Sequence, residues 1–154
     1  MLIAEHLNKV QRMRVAHTRL DATQDCELWL FVALAIGVHA INAAMHSLGA
    51  TIEERCFPYN IPVYVVPRKD PVAFNFVIRP FGDIEHVDGP EMEALIPEQL
   101  EEAKVALLYL EQFRDPIVRS SHAVDADILR KMEYAFETCL NAALSCISDR
   151  RGVS

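Results

Sequence analysis

Apolar side chains recur along four stretches of the chain at spacings of three and four residues, the spacing of one face of an α-helix. The second stretch runs from about Asp25 to Leu48 and is followed by Gly49, a residue that often terminates helices. The apolar face of the first stretch consists of Leu2, His6, Val10, Met13, His17 and Leu20. The pattern therefore predicts one amphipathic helix and one long apolar helix in the first fifty residues.

Two further helices are predicted in the second half of the chain. Residues 97–113 begin with Pro97 and acidic residues, which suit the positive end of a helix dipole, and this helix should stop before Asp115-Pro116. The last helix has an apolar face made of Ile128, Met132, Phe136, Cys139, Ala143 and Ile147. Its charged residues lie mostly off that face, as in a water-soluble bundle.

The segment between the second and third helices has a different pattern. The sequences "VYVV" and "AFNFVI" are rich in β-branched and aromatic residues, and "PRKDP" between them is typical of a turn. This pattern predicts a small β-hairpin at about 62–80. We therefore expect one mainly all-α domain over residues 1–154, a four-helix antiparallel bundle with an inserted hairpin. A length of 154 residues suits a single domain.

In the stretch "GDIEHVDGPE", Asp83, Glu85, His86 and Asp88 are all possible metal ligands. Counting back from Gly89 does not give the ligand register of a calcium-binding EF-hand loop. Asp88, Pro90 and Glu91 instead match the start of a helix, where an aspartate caps, a proline fills the first turn and a glutamate completes the capping box. The stretch therefore favours helix capping over metal binding.

The second helix is apolar enough to raise the question of a membrane. No formally charged residue lies between Leu28 and Ile52, a length that could cross a bilayer. His39, Asn42 and His46 dilute its apolar character, however, and its flanks show no basic asymmetry. We therefore expect a buried central helix and no membrane association. The absence of a visible secretory signal and of CxxC pairs indicates a cytoplasmic protein.

His39, Asn42 and His46 lie on one stripe of the second helix because their spacings are four and three. His6 and His17 lie on the apolar face of the first helix. Two interpretations follow. The one we favour makes the stripe of the second helix either its solvated edge or a hydrogen-bonded polar seam. The other is a polar pocket between helices that binds a small ligand through these five residues. No histidine has an acidic or cysteine companion at ligand spacing along the chain, so we expect neither a dedicated metal site nor a cofactor.

The order of elements resembles that of HEPN domains. The resemblance covers about residues 25–148 and rests on "ALAIGVHAINAAMHSLGA", the insertion after it, and "LEEAKVALLYLEQFRDPIVRSSHAVDADILRKMEYAFETCLNAAL". HEPN domains are small helical bundles, often homodimers; some are ribonucleases and others bind nucleotides or serve as accessory modules. The resemblance thus implies a helical bundle that forms a homodimer.

Ribonuclease members of that family carry an arginine and a later histidine, near the start of the last helix, with four to six residues between them. Here Arg119 precedes His122 with two residues between them, and Arg114 with seven, so neither spacing matches. A net charge of −7 also disfavours binding of nucleic acid. The sequence therefore favours a dimeric, non-enzymatic protein that binds a small ligand or a partner protein. A metal-independent endoribonuclease using Arg114, Arg119 and His122 is the alternative.

Overall fold

The computed structural model describes residues 1–53, 83–84, 96–119 and 124–151, with side chains up to residue 147. Four α-helices lie in these ranges: α1 (Ile3–His17), α2 (Cys26–Leu48), α3 (Glu101–Glu111) and α4 (Ala126–Arg151). The protein is thus mainly helical, as the apolar periodicity predicts. The hairpin predicted at 62–80 and the capping residues Asp88, Pro90 and Glu91 lie outside the described residues.

Helices α1 and α2 run in opposite directions, and so do α3 and α4. At one end of the α1–α2 pair His6 contacts His39, and at the other end His17 contacts Trp29. Helix α3 is antiparallel to α4, because the Cys146 thiol, near the end of α4, donates a hydrogen bond to the carbonyl of Gln99, just before α3. The described helices therefore pack as an antiparallel bundle.

Local chemistry accounts for where the helices begin and end. Glu5 and Glu53 accept hydrogen bonds from the backbone N–H groups of Leu2 and Ile3, which no helical carbonyl can satisfy at the start of α1. Gly49 has a φ of 75°, the left-handed conformation that glycine adopts readily at a helix C-terminus. Asp125 caps α4 by accepting hydrogen bonds from two backbone N–H groups.

Helix α2 is the centre of the core and packs against the other three helices. It is long and apolar enough to cross a membrane, yet 67% of its most apolar window is buried within the protein. The prediction of a buried central helix is confirmed. Gly37 allows close approach of α3, because a Cβ at this position would lie 2.6 Å from the Leu107 Cδ1 atom.

The third helix differs from its prediction at both ends. A 3-10 turn (Glu98–Leu100) precedes α3, and the α-helix ends at Glu111 rather than just before Asp115. A wide π-helical segment (Arg114–Arg119) follows and includes Pro116. Proline lacks an N–H group and its ring collides with the carbonyl four residues earlier, so a regular α-helical turn cannot continue through it. The wider turn keeps Ile117 buried.

Candidate functional site: a buried histidine–aspartate cluster

Three histidines and one aspartate meet between α1, α2 and the short segment 83–84. His6 lies on α1, His39 and His46 lie on α2, and Asp83 follows His6 by 77 residues in the sequence. We call these four residues the His–Asp cluster. His6 and His46 are buried, and the Asp83 side chain is only 8% exposed. Polar groups removed from water in this way need partners within the protein.

Asn42 fixes the position of Asp83. Its side-chain amide donates to the carbonyl of Ile84 at 2.8 Å, and its oxygen accepts from the backbone N–H of Ile84 at 2.7 Å. Asn42 and Ile84 are both buried, so this pair of bonds replaces water at the backbone of the segment. The result is that Asp83, the preceding residue, is held against the two helices.

The two carboxylate oxygens of Asp83 differ in the hydrogen bonds that they accept. Oδ1 lies 3.1 Å from Nε2 of His6, 2.9 Å from Nε2 of His46 and 2.7 Å from the amino group of Met1. Oδ2 is buried and has no hydrogen-bond partner within the described part of the protein. A buried carboxylate oxygen without a partner is uncommon and calls for an explanation.

The far sides of both imidazole rings are also occupied. Nδ1 of His46 lies 2.6 Å from the hydroxyl of Thr51, and Nδ1 of His6 lies 3.0 Å from Nδ1 of His39. With one proton on each ring, all contacts are satisfied if His6 and His46 donate through Nε2 to Asp83. Thr51 and His39 then donate to their Nδ1 atoms.

The charges of the cluster follow from burial and these bonds. Burial alone would raise the pKa of Asp83, but hydrogen bonds from His46, His6 and the Met1 amino group together lower this pKa well below its usual range. Burial lowers the pKa of His39 to about 4, with smaller contributions from the charges of His6 and Lys9. At neutral pH Asp83 is therefore a carboxylate and His39 is uncharged.

A cavity of about 280 Å³ adjoins the cluster. One wall is apolar and includes Leu34, Ala35 and Val38 of α2. His6, His39, Asn42 and Asp83 supply the polar wall, and Arg114 also lines the space. Apolar walls with a few convergent polar groups are typical of small-molecule sites, although most such sites are somewhat larger.

His17, the fifth residue of the predicted site, lies elsewhere. Its ring packs against Trp29 at a centroid distance of 4.8 Å and against Phe136 at 4.5 Å, at the opposite end of α1 from His6. Burial lowers the pKa of His17, and its Nε2 atom has no hydrogen-bond partner within the described residues. The structure thus brings together His6, His39, Asn42 and His46 and leaves His17 in an aromatic contact.

The predicted catalytic candidates are only partly described. Arg114 pairs with Glu111 at 2.8 Å and lines the cavity. Arg119 is exposed and pairs with Asp115 at 3.2 Å on the protein surface. His122 lies outside the described residues, so its distance from either arginine is not part of the structure.

Sequence reasoning missed Asp83 and Thr51 as members of the site. In the sequence, Asp83 was considered only as a possible ligand in the stretch that failed to match a calcium-binding loop. Spacing along the chain cannot show that two distant segments meet. One signal was present: three imidazoles on the apolar faces of two helices need a buried hydrogen-bond partner, and a carboxylate beside an apolar residue such as Ile84 is suited to that place.

No protein-family model, curated protein or solved structure matches the chain. The resemblance to HEPN domains therefore stays a prediction. The geometry of the His–Asp cluster and its cavity is the basis for inferring a function.

Proposed function

We propose that this protein is a non-enzymatic binding module that holds a small ligand in the cavity beside the His–Asp cluster. The main support for the proposal is that one cavity is lined by an apolar wall from α2 and by a polar wall of buried, hydrogen-bonded groups. Such a surface favours an amphipathic molecule, whose apolar part contacts Leu34 and Val38 and whose polar part faces His39. The site is rigid because Asn42 and Asp83 are held by several hydrogen bonds.

An amphipathic fluorescent probe, 1-anilinonaphthalene-8-sulfonate, tests the cavity directly. The folded protein should bind one probe per chain saturably, and Ala35→Trp should abolish this binding because the indole fills the apolar half of the cavity. Val105→Trp is the matched control, since it adds the same ring at an exposed position on α3. Equal probe binding by the parent and Ala35→Trp would contradict the proposal.

We further propose that the module is a cytoplasmic homodimer. Leu28 and Phe31, one turn apart on α2, are 52% and 59% exposed, and contiguous apolar surface of this kind favours a partner. The hairpin predicted at 62–80 would add apolar surface. Light scattering after size-exclusion chromatography should give twice the 17.4 kDa of one chain. A monomer at micromolar concentration would contradict the dimer.

The endoribonuclease alternative has no geometric support from the described residues, because both arginines are paired with carboxylates. We expect no cleavage of unstructured RNA by the purified protein. Cleavage that is lost in His122→Ala would make the alternative the better description.

A further inference from the structure

We propose that the His–Asp cluster binds one divalent transition-metal ion, such as zinc, through Nε2 of His6, Nε2 of His46 and the carboxylate of Asp83. This inference rests on the proposed binding function, because it names what the polar wall of the same cavity recognises. Two imidazoles and a carboxylate suit zinc and its first-row neighbours, whereas calcium and magnesium prefer oxygen ligands.

The spacing of the three donors is the first support. Both Nε2 atoms lie 2.9 to 3.1 Å from Asp83 Oδ1, and the three ligand atoms all lie within 4.8 Å of one another. Donors bonded to one ion at about 2.0 to 2.1 Å are separated by about 2.9 Å in octahedral sites and about 3.4 Å in tetrahedral sites. Small side-chain adjustments would therefore bring all three donors to bonding distance.

The unpartnered oxygen of Asp83 is the second and independent support. Oδ1 accepts three hydrogen bonds, while Oδ2 is buried with no partner among the described residues. Leaving a buried acceptor unpaired costs about 1 to 3 kcal/mol. A cation beside this carboxylate would remove that cost, so the free oxygen indicates that the cluster has a further occupant.

The surroundings of the two histidines provide a third support. A histidine that binds a metal through Nε2 usually donates its Nδ1 proton to a neighbouring acceptor, which fixes the orientation of the ring. Here His39 and Thr51 lie at hydrogen-bonding distance from the Nδ1 atoms of His6 and His46, respectively, and can accept those protons. His6 and Asp83 also line the cavity, which provides an entry path and leaves a coordination position open to it.

The sequence-based prediction of no metal depended on the lack of an acidic companion near the histidines. Asp83 supplies that companion through the fold rather than through local spacing. Binding would reverse the hydrogen bonds of the cluster. His6 and His46 change from carrying the proton on Nε2 to carrying it on Nδ1, and Thr51 changes from donor to acceptor.

Calorimetry tests zinc binding at the site. The protein carries no polyhistidine tag and has been stripped of metal with a chelator. Zinc should bind with one ion per chain, whereas magnesium at the same concentration should not compete. Asp83→Asn and His46→Ala should each weaken zinc binding more than about 100-fold, and Thr51→Val should weaken it by about tenfold. His17→Phe is the matched control, because it removes a buried histidine outside the cluster. Zinc affinity unchanged in Asp83→Asn and His46→Ala would overturn the proposal.

A spectroscopic measurement on the parent protein does not depend on the folding of any variant. Long-range proton–nitrogen NMR should show His6 and His46 protonated at Nε2 without metal and at Nδ1 after one equivalent of zinc. Unchanged tautomers in the presence of zinc would overturn the proposal. The Ala35→Trp variant separates the two hypotheses: it fills the cavity but keeps all three ligands, so it should lose the fluorescent probe while its zinc affinity changes less than threefold.

Discussion

The two ends of helix α1 carry the same residue type in opposite environments. His6 and His17 both lie on its buried face. At the first end, α2 and the segment 83–84 supply two imidazoles and a carboxylate, and His6 belongs to a hydrogen-bonded cluster. At the second end, Trp29 and Phe136 supply aromatic rings, and His17 packs between them. A buried histidine therefore acquires its role from what neighbouring elements bring to it.

The difference also separates function from stability. The end around His6 contains a carboxylate of lowered pKa, an adjoining cavity and a carboxylate oxygen that has no partner among the described residues. The end around His17 contains ring contacts with Trp29 and Phe136 and a hydrogen bond to the Trp29 backbone, so it should contribute to the core alone. Variants at the His6 end should therefore change both stability and ligand binding, whereas variants at the His17 end should change stability alone.

The largest expected effect is at Asn42. Asn42→Ala removes both hydrogen bonds to Ile84 and leaves a buried N–H and C=O unpaired, so the free energy of unfolding should fall by about 3 kcal/mol. Urea denaturation of metal-free protein measures the change. Asn141→Ala, an exposed asparagine on α4, should leave stability nearly unchanged. Equal effects of the two variants would show that Asn42 does not hold the segment.

Lowering the pH should reduce the free energy of unfolding, partly through His17. Because the pKa of His17 is lowered in the folded state, the unfolded chain binds a proton below about pH 6.5 that the folded protein excludes. The free energy of unfolding should therefore be highest above that pH and fall as the pH is lowered through it. His39 continues this loss down to its pKa of about 4. Asp83 contributes only at lower pH.

His17→Phe sharpens this prediction because it keeps an aromatic ring and removes the titrating group. At neutral pH the stability of the variant should stay within about 1 kcal/mol of the parent, because the substitution removes both a buried Nε2 without a partner among the described residues and a hydrogen bond to the Trp29 backbone. Between pH 6.5 and 4 its stability should fall less steeply than that of the parent. Thermal unfolding across this range is the measurement. Identical slopes would assign the acid sensitivity to other groups.

The smallest expected effect is at the exposed ion pair on the π-helical segment. Arg119 and Asp115 are 73% and 71% exposed, and pairs of this kind contribute little because water and salt screen them. Arg119→Ala should change neither the thermal midpoint nor probe binding beyond experimental error. A large loss in either measurement would indicate a contact beyond the surface pair with Asp115.

The helices could be predicted from the sequence because their apolar faces repeat at a fixed period, and the ends at Gly49 and Asp125 follow from capping chemistry. The stripe of His39, Asn42 and His46 followed from the same period, and all three side chains make hydrogen bonds in the structure. Periodicity states which residues share a face, but it does not state what faces them. Asp83 was therefore missed, and His17 was grouped with His6 although its neighbours are aromatic.

The direct test of the account is a double-mutant cycle between Asp83 and His46, measured by urea denaturation of metal-free protein. These residues are in contact, so the effects of Asp83→Asn and His46→Gln should differ from additivity by more than about 1 kcal/mol. The reference cycle combines Asp83→Asn with His17→Phe, two positions at opposite ends of α1, and should be additive within about 0.5 kcal/mol. Additivity in the first cycle would contradict the existence of the His–Asp cluster.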